Sequence, residues 1–395
     1  MRPVSNSPAD PAPAAAQSRD TSAPVIARYL PRTRFADDLH QRVDRYFDEK
    51  KVSRRDQPVM YLKTVVILAW MVASYIWLLH AAGALEGALA AVSLALAMAS
   101  VGFNIQHDGN HEAYSRFGWV NRGMACSLDL LGGSSYFWRF KHNIAHHTHT
   151  NIAGQDDDIG LAGAGRFTRF EPHKPFFRFQ HFYVWVLYAL LAVEWQTTGE
   201  IRNFFRRRFG LTNVPRLPLG ENIFFWVGRA VFYTLAFVIP LQYHSVKFVL
   251  LTFLLTSAVL GFTIATVFQL AHCIEETTFF PRTQANDAPS LEWRVHQVES
   301  TANFAPRNVF LTWWLGGLNY QIEHHLFPRI CHVHYPALSS IVQQTCREHG
   351  VRYFSHRSLR AALRSHWRYV RGLGAPVAER ELAPGAANCD SVATP

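Results

Sequence analysis

Four long apolar runs interrupt an otherwise polar chain, and they come in two pairs. The first pair covers about Leu62 to Gly83 and Ala84 to Gln106. The second covers Asn222 to His244 and Val246 to Ala271. Each run is close to the ~20 residues a helix needs to cross a hydrocarbon layer about 30 Å thick. The links within the pairs, Ala81–Leu85 and Gln242–Lys247, are very short. Each pair therefore predicts a hairpin that turns around on one side. The N-terminal arm, residues 107–221 and residues 272–395 are then gathered on the opposite side. The expected fold is all-α: four transmembrane helices, spans about 62–83, 84–106, 222–244 and 246–271, in two hairpins beneath a helical cap.

Two features of the pattern need a separate reading. The aromatic stretch "HFYVWVLYALLAVEW" at 181–195 is too short and interrupted to span comfortably, and predicts an interfacial or amphipathic helix. Arg229 lies inside the third run, so either its side chain snorkels to the interface or the span starts later. At the ends, residues 1–27 are rich in Pro, Ala and Ser and lack the apolar core of a signal peptide. They predict a disordered tail, as do residues 372–395, around one membrane domain at 28–371.

Charge orients this picture. The chain carries 39 Lys+Arg against 29 Asp+Glu, a net +10 with its 20 His neutral. Arg28, Arg32, Arg34, Arg54 and Arg55 precede the first run, and "RNFFRRRFG" lies at 202–210, a membrane-facing basic patch. The far-side turns have few charges. The positive-inside bias puts all the large segments, with both termini, in the cytoplasm. Aromatics at 14% and charged residues at 17%, against roughly 25% in ordinary globular chains, agree with a multi-pass membrane protein. Cys126, Cys273, Cys331, Cys346 and Cys389 show no C-x-x-C spacing and predict free thiols in a reducing compartment. Nucleic acid is not an expected partner.

The candidate chemistry lies in the histidines. His107 and His111, in "HDGNH", follow the second run directly; as i and i+4 they share one helix face. His142 and His146, in "HNIAHH", repeat that spacing, and His147 lies about 100° further around the axis. His324 and His325 follow in "QIEHHLFP", and His272 ends the fourth run. Adjacent imidazoles leave a helix in divergent directions, which suits two metal ions side by side. Eight imidazoles exceed what one four-coordinate zinc uses. Imidazole alone does not choose among Fe, Zn, Cu and Ni.

In this order, "HDGNH", "HNIAHH" and "QIEHHLFP" resemble the three histidine boxes of the membrane fatty acid desaturases. With Gln321 where many members have His, the third box is similar to the front-end and bacterial acyl-CoA branch. The resemblance runs from about Tyr61 to Phe354. It implies four transmembrane helices under a cytosolic cap that holds two non-haem iron ions. The implied ligands are His107, His111, His142, His146, His147, His272, His324 and His325. The implied activity is O2-dependent insertion of a cis double bond into an acyl-CoA or acyl-lipid chain. An unactivated methylene C–H is beyond any side-chain acid or base, so the oxidant must come from the cofactor. No His-Pro-Gly-Gly motif of a fused cytochrome b5 is present, so electrons are expected from a separate ferredoxin, or cytochrome b5 with its reductase. A basic cytosolic face suits an acidic carrier, CoA phosphates or anionic membrane lipid alike.

Residues beside the boxes are candidates to orient ligands, because a ligating His usually gives its second N–H to a carboxylate or carbonyl. They are Asp108, Asn110, His149, Asp157, His296, Gln321 and Glu323, with Asp156 and Asp158 in the same acidic cluster. His149 equally caps a helix, and His296 equally packs. His332 and His334 read as structural. A lipid hydroxylase of the same superfamily would use the same boxes, and product mass separates the two. A membrane zinc protease is disfavoured because "HEAYS" ends in Ser115 rather than the His of H-E-x-x-H. A metal transporter needs ligands near mid-membrane, and these lie at span ends.

Overall fold

The computed structural model describes residues 28–161, 163–209, 212–282 and 291–375. Helices dominate the described residues. Strands are confined to two short pairs: Arg208–Phe209 antiparallel to Thr212–Asn213, and Asn303–Phe304 parallel to Ser355–His356. One hairpin joins Pro58–Leu79 to Ala84–Asn110, and another joins Leu219–Gln242 to Val246–His272. The shifts from the predicted bounds have local causes. Pro58 sits in the first turn of its helix, where its missing N–H costs no hydrogen bond. The second helix runs past Gln106 because a π-helical turn, Gly102–Gln106, carries it into His107–Asn110. The first histidine box is therefore a rigid extension of an apolar helix.

A further helix changes the expected count. Pro175–Arg206 is continuous over 32 residues, so among the described residues five helices are long and apolar enough to cross a membrane, one more than the four expected spans. The stretch at 181–195 is only its middle. A 3₁₀ turn precedes it, and a π turn at Trp195–Gly199 prolongs it. This helix runs antiparallel to Val246–His272. Tyr188 and Ala192 meet Gly261, while Gln196 meets Ser257 at 2.6 Å. A Cβ at Gly261 would lie 2.7 Å from Ala192 N and 2.8 Å from Tyr188 O, so only glycine allows this backbone approach.

Arg229 does neither of the things expected of it. The helix already starts at Leu219, and the guanidinium is buried, donating to Gly133 O and lying over the Phe225 ring at 5.5 Å. The cause is the 127–138 segment, which folds against this helix face and offers a carbonyl there. Outward-facing positions on these helices are apolar, as at Leu62, Val65, Leu85 and Val246.

The other segments gather at the end of the bundle that carries the histidines. The helix Arg34–Lys50 buries Phe35, Leu39, Val43 and Phe47 in one cluster with Leu338 and Val342 of Tyr335–Glu348. The last described helix, Leu359–Gly374, buries Ala362, His366 and Val370 and exposes Arg360, Arg364, Arg368 and Arg371. It passes the expected domain end at 371. The expected tails, 1–27 and the rest of 372–395, lie outside the described residues. Cys126, Cys273, Cys331 and Cys346 are free thiols, and Cys389 lies outside the described residues.

Candidate metal centre

Local backbone decides how the histidines aim. Gly109, inside the first box, lets the helix Gly118–Ala125 come so close that a Cβ would lie 2.6 Å from Ala125 N. His142 and His146 lie in a π-helical stretch, Arg139–His146, rather than the α-helix that the i, i+4 reading assumed. The wider turn still stacks their rings, with centroids 5.2 Å apart. It also brings His147 Nε2 to 3.3 Å from His142 Nε2, a partner five residues away. Such π turns recur at functional sites because they re-aim side chains without breaking the helix.

The eight imidazoles converge in two adjoining groups. His107, His111, His142 and His324 place one ring nitrogen each within 4.8 Å of one another, and His146, His272 and His325 do the same. His147 bridges them, with Nε2 3.1 Å from His324 Nε2 and its ring stacked on His325. The adjacent pair His324 and His325 is thus divided between the groups, while His146 joins the second and His147 sits between them. Every ring is buried. Buried polar atoms are normally paired, yet Nε2 of His107, His111, His146 and His325 and Nδ1 of His272 have no hydrogen-bond partner. A set of unpartnered, convergent imidazole nitrogens fits bound metal.

The electrostatics prepare these rings as neutral donors. Burial drives His142 down to about 3, against Asp158. Burial and neighbouring rings drive His111, His147, His324 and His325 well below the ordinary imidazole value. His146 moves the other way: burial opposes protonation, but the Asp156 carboxylate outweighs it and raises the value.

Partners on the outer sides fix the rings. Asp156 accepts from His146 Nδ1 at 3.1 Å, and is itself held by the N–H groups of Asn151 and Asp158 at 2.9 and 3.0 Å. Gln297 Oε1 accepts from His325 Nδ1 at 2.8 Å. Tyr335 OH lies 3.3 Å from His324 Nδ1, and Asp158 Oδ2 lies 3.8 Å from His142 Nδ1. Gln321 is buried with Nε2 3.0 Å from His272 Nε2. Asn110 O accepts from Asn143 Nδ2 at 2.8 Å, tying the first box to the second. Asn151, at φ 57°, donates to the carbonyls of His272 and Ser300 at 3.0 Å, joining the second box to the end of the Val246–His272 helix.

Some expected residues fall elsewhere. Asp157 is exposed, while Asp156 and Asp158 on either side turn to the rings. Glu323 points away from the imidazoles, accepting from Asn303 Nδ2 at 2.7 Å and Tyr353 OH at 3.0 Å; burial pushes it up to about 7. His296 bonds Thr150 O at 2.8 Å and stacks on Phe280. His149 is buried but joins neither group. His332, read as structural, holds Asp108 instead, Nδ1 to Oδ2 at 3.0 Å. Gln297 and Tyr335 carried no motif. Only the habit of ligating His to seek an outer partner pointed toward such residues.

The chain matches the family described as fatty acid desaturase over residues 85–357. It belongs to the fatty acid desaturase family. It is 37% identical to the sn-1 linoleoyl-lipid 6-desaturase of Synechocystis sp., over 85% of this chain and 94% of that one. It is 35% identical to the protein of the same name from Arthrospira platensis, over 85% and 92%. The acyl-lipid (8-3)-desaturase of Physcomitrium patens is also 35% identical, over 85% of this chain and 71% of its own. The family match begins at the second helix of the first hairpin and ends just past the strand Ser355–His356. Every box of this desaturase, and every outer partner named above, lies within it.

Proposed function

We propose that this fatty acyl desaturase inserts a cis double bond into a lipid-linked acyl chain, with two iron ions held by the two imidazole groups. The observation that carries it is the pair of buried imidazole groups with unpartnered nitrogens, formed by three sequence-distant boxes. Bound there, iron supplies the oxidation, in which O2, two electrons and two protons take two hydrogens from adjacent methylenes and leave a double bond and two waters. The chain's own residues keep the rings neutral, aim them through Asp156, Gln297 and Tyr335, and bury the reacting volume away from solvent. Relatives named for lipid substrates favour a lipid-linked chain over acyl-CoA. An apolar cavity of about 210 Å³ between the hairpins, lined by Met98, Phe232 and Phe253 among others, is suited to hydrocarbon.

Four of the five apolar helices cross the membrane in this reading. His147 and His272 meet at one centre, so an even number of crossings separates them. Three candidate helices lie between, and Pro175–Arg206 is the one that stays on the cap side. It is the least apolar of the five. The exposed arginines of Leu359–Gly374 and the basic arm favour a cap on the cytoplasmic side. They suit an acidic external electron carrier such as ferredoxin or cytochrome b5.

Expression in a host of defined lipid profile, followed by mass spectrometry of its fatty acids, tests the reading. A loss of two hydrogens at one position, absent in His146→Ala, is expected. Gain of one oxygen assigns a hydroxylase instead, and an unchanged profile contradicts both.

A further inference from the structure

The helix Pro58–Leu79 contains one charged residue, Lys63. Its neighbours Leu62 and Val65 are 66% and 65% exposed on the lipid-facing side, whereas Lys63 is 4% exposed and points inward. A buried ionisable group on a membrane helix is costly and calls for a partner. Lys63 Nζ lies 2.9 Å from His332 Nε2, and 5.2 Å from the centre of the Trp313 ring. No carboxylate among the described residues pairs with it directly. His332 hands the contact on, since its Nδ1 lies 3.0 Å from Asp108 Oδ2. The other oxygen of Asp108 lies 3.8 Å from His107 Nδ1. All four side chains are buried.

The donor inventory leaves one arrangement. An ammonium only donates, so His332 Nε2 accepts, and its one ring proton sits on Nδ1 facing the carboxylate. A buried cation and a buried anion are thereby joined through a neutral ring of fixed tautomer. Asp108 follows His107 directly, so whatever holds this carboxylate also holds the entry of the first box.

We propose that Lys63 is a positioning residue for the first imidazole group, acting through His332 and Asp108 on His107. It fixes the tautomer of His332 and balances the charge of Asp108. It ties the first apolar helix to the chelating end of the second. The proposal rests on the metal reading of His107, and wild-type iron content tests that reading separately.

Iron per chain is measured on full-length protein purified in detergent, together with thermal unfolding of the metal-free form. Wild type is expected to hold about two irons. Lys63→Met is expected to lose iron from the His107 group, with affinity there falling ~10–100-fold, as for other outer partners. Lys63→Arg, which keeps the charge, is expected to retain more iron than Lys63→Met. The double variant Lys63→Met with Asp108→Asn buries no unpaired charge, and is expected to fall between Lys63→Met and wild type. Should Lys63→Met fail to fold, the double variant carries the test, and wild-type iron affinity in it overturns the proposal. Two irons with an unchanged melting temperature in folded Lys63→Met overturn it equally. A lower melting temperature with full iron content would show Lys63 to be structural only, which also overturns it. Wild type without iron would instead sink the metal reading itself.

Discussion

In the first group, Asp108 beside His107 is held by His332, which lies against a lysine on the first apolar helix, while Asp158 faces His142 and Tyr335 faces His324. His146, His272 and His325 are steadied from the cap side, through Asp156 and Gln297. The first group has four imidazoles. The second has three and an amide, Gln321, beside His272. Its anchor, Asp156, is fixed by two backbone N–H groups of its own loop and reaches His146 directly. The first group's carboxylate is instead held by a ring from behind the third box. The first group thus draws partners from the first apolar helix, the segment after the third box and the 151–158 loop, while the second draws them from that loop and the Trp293–Ser300 helix. Disturbing the docking of the first apolar helix should weaken the first group, and loss of Asp156 or Gln297 should weaken the second.

Removing a ring from either group is the coarsest way to break this comparison. His107→Ala and His146→Ala are each expected to reduce the cis-unsaturated product to background, read by mass spectrometry, as the proposed two-iron site requires. Next comes Asp156→Asn. It keeps the shape but weakens the hold on His146, and a ~10–100-fold loss of metal affinity is expected, measured by competition with a chelator. The loss should fall on the second group alone.

Acid sharpens the comparison in another way. His142, whose value is lowered to about 3, and the other lowered rings bind protons in the unfolded chain below the ordinary value of 6.5 but not in the folded one. That stability is fully present above 6.5 and is lost progressively as pH falls from there toward about 3. His146, whose value is raised, contributes in the opposite sense, with stability present below 6.5 and lost as pH rises through its folded value. The melting temperature of the metal-free chain, followed from pH 7 downward, should therefore fall overall, since the lowered rings outnumber the raised one. The smallest effect is expected for Tyr335→Phe. It removes one neutral hydrogen bond at 3.3 Å from His324, worth about 0.5–1.5 kcal/mol, and should cost activity only a few-fold in a steady-state assay.

Much of this architecture was readable in the residues because apolar length and histidine spacing report directly on helices and ligands. Both hairpins lie within a few residues of their expected bounds, and the eight imidazoles come together. What was hidden depended on tertiary contact. Asp156, Asp157 and Asp158 are equivalent as letters; only the turn that begins at Asp156 decides which carboxylates face the rings. The i, i+4 spacing of His142 and His146 fits an α-helix, but the folded backbone widens to a π turn. Arg229 read as an interfacial charge or the mark of a later span start, because the sequence does not show the 127–138 segment supplying Gly133 O as its partner. The helix Pro175–Arg206 was underestimated because its Pro, Arg and Gln residues interrupt the apolar pattern, while its close packing on Gly261 does not show in composition.

The central claim is that two metal ions sit side by side among these eight rings. Anomalous diffraction at the iron edge, from protein purified with its native metal, tests it most directly. The account predicts two iron peaks, one within His107, His111, His142 and His324 and one within His146, His272 and His325. A lone peak, or zinc in place of iron, would contradict it.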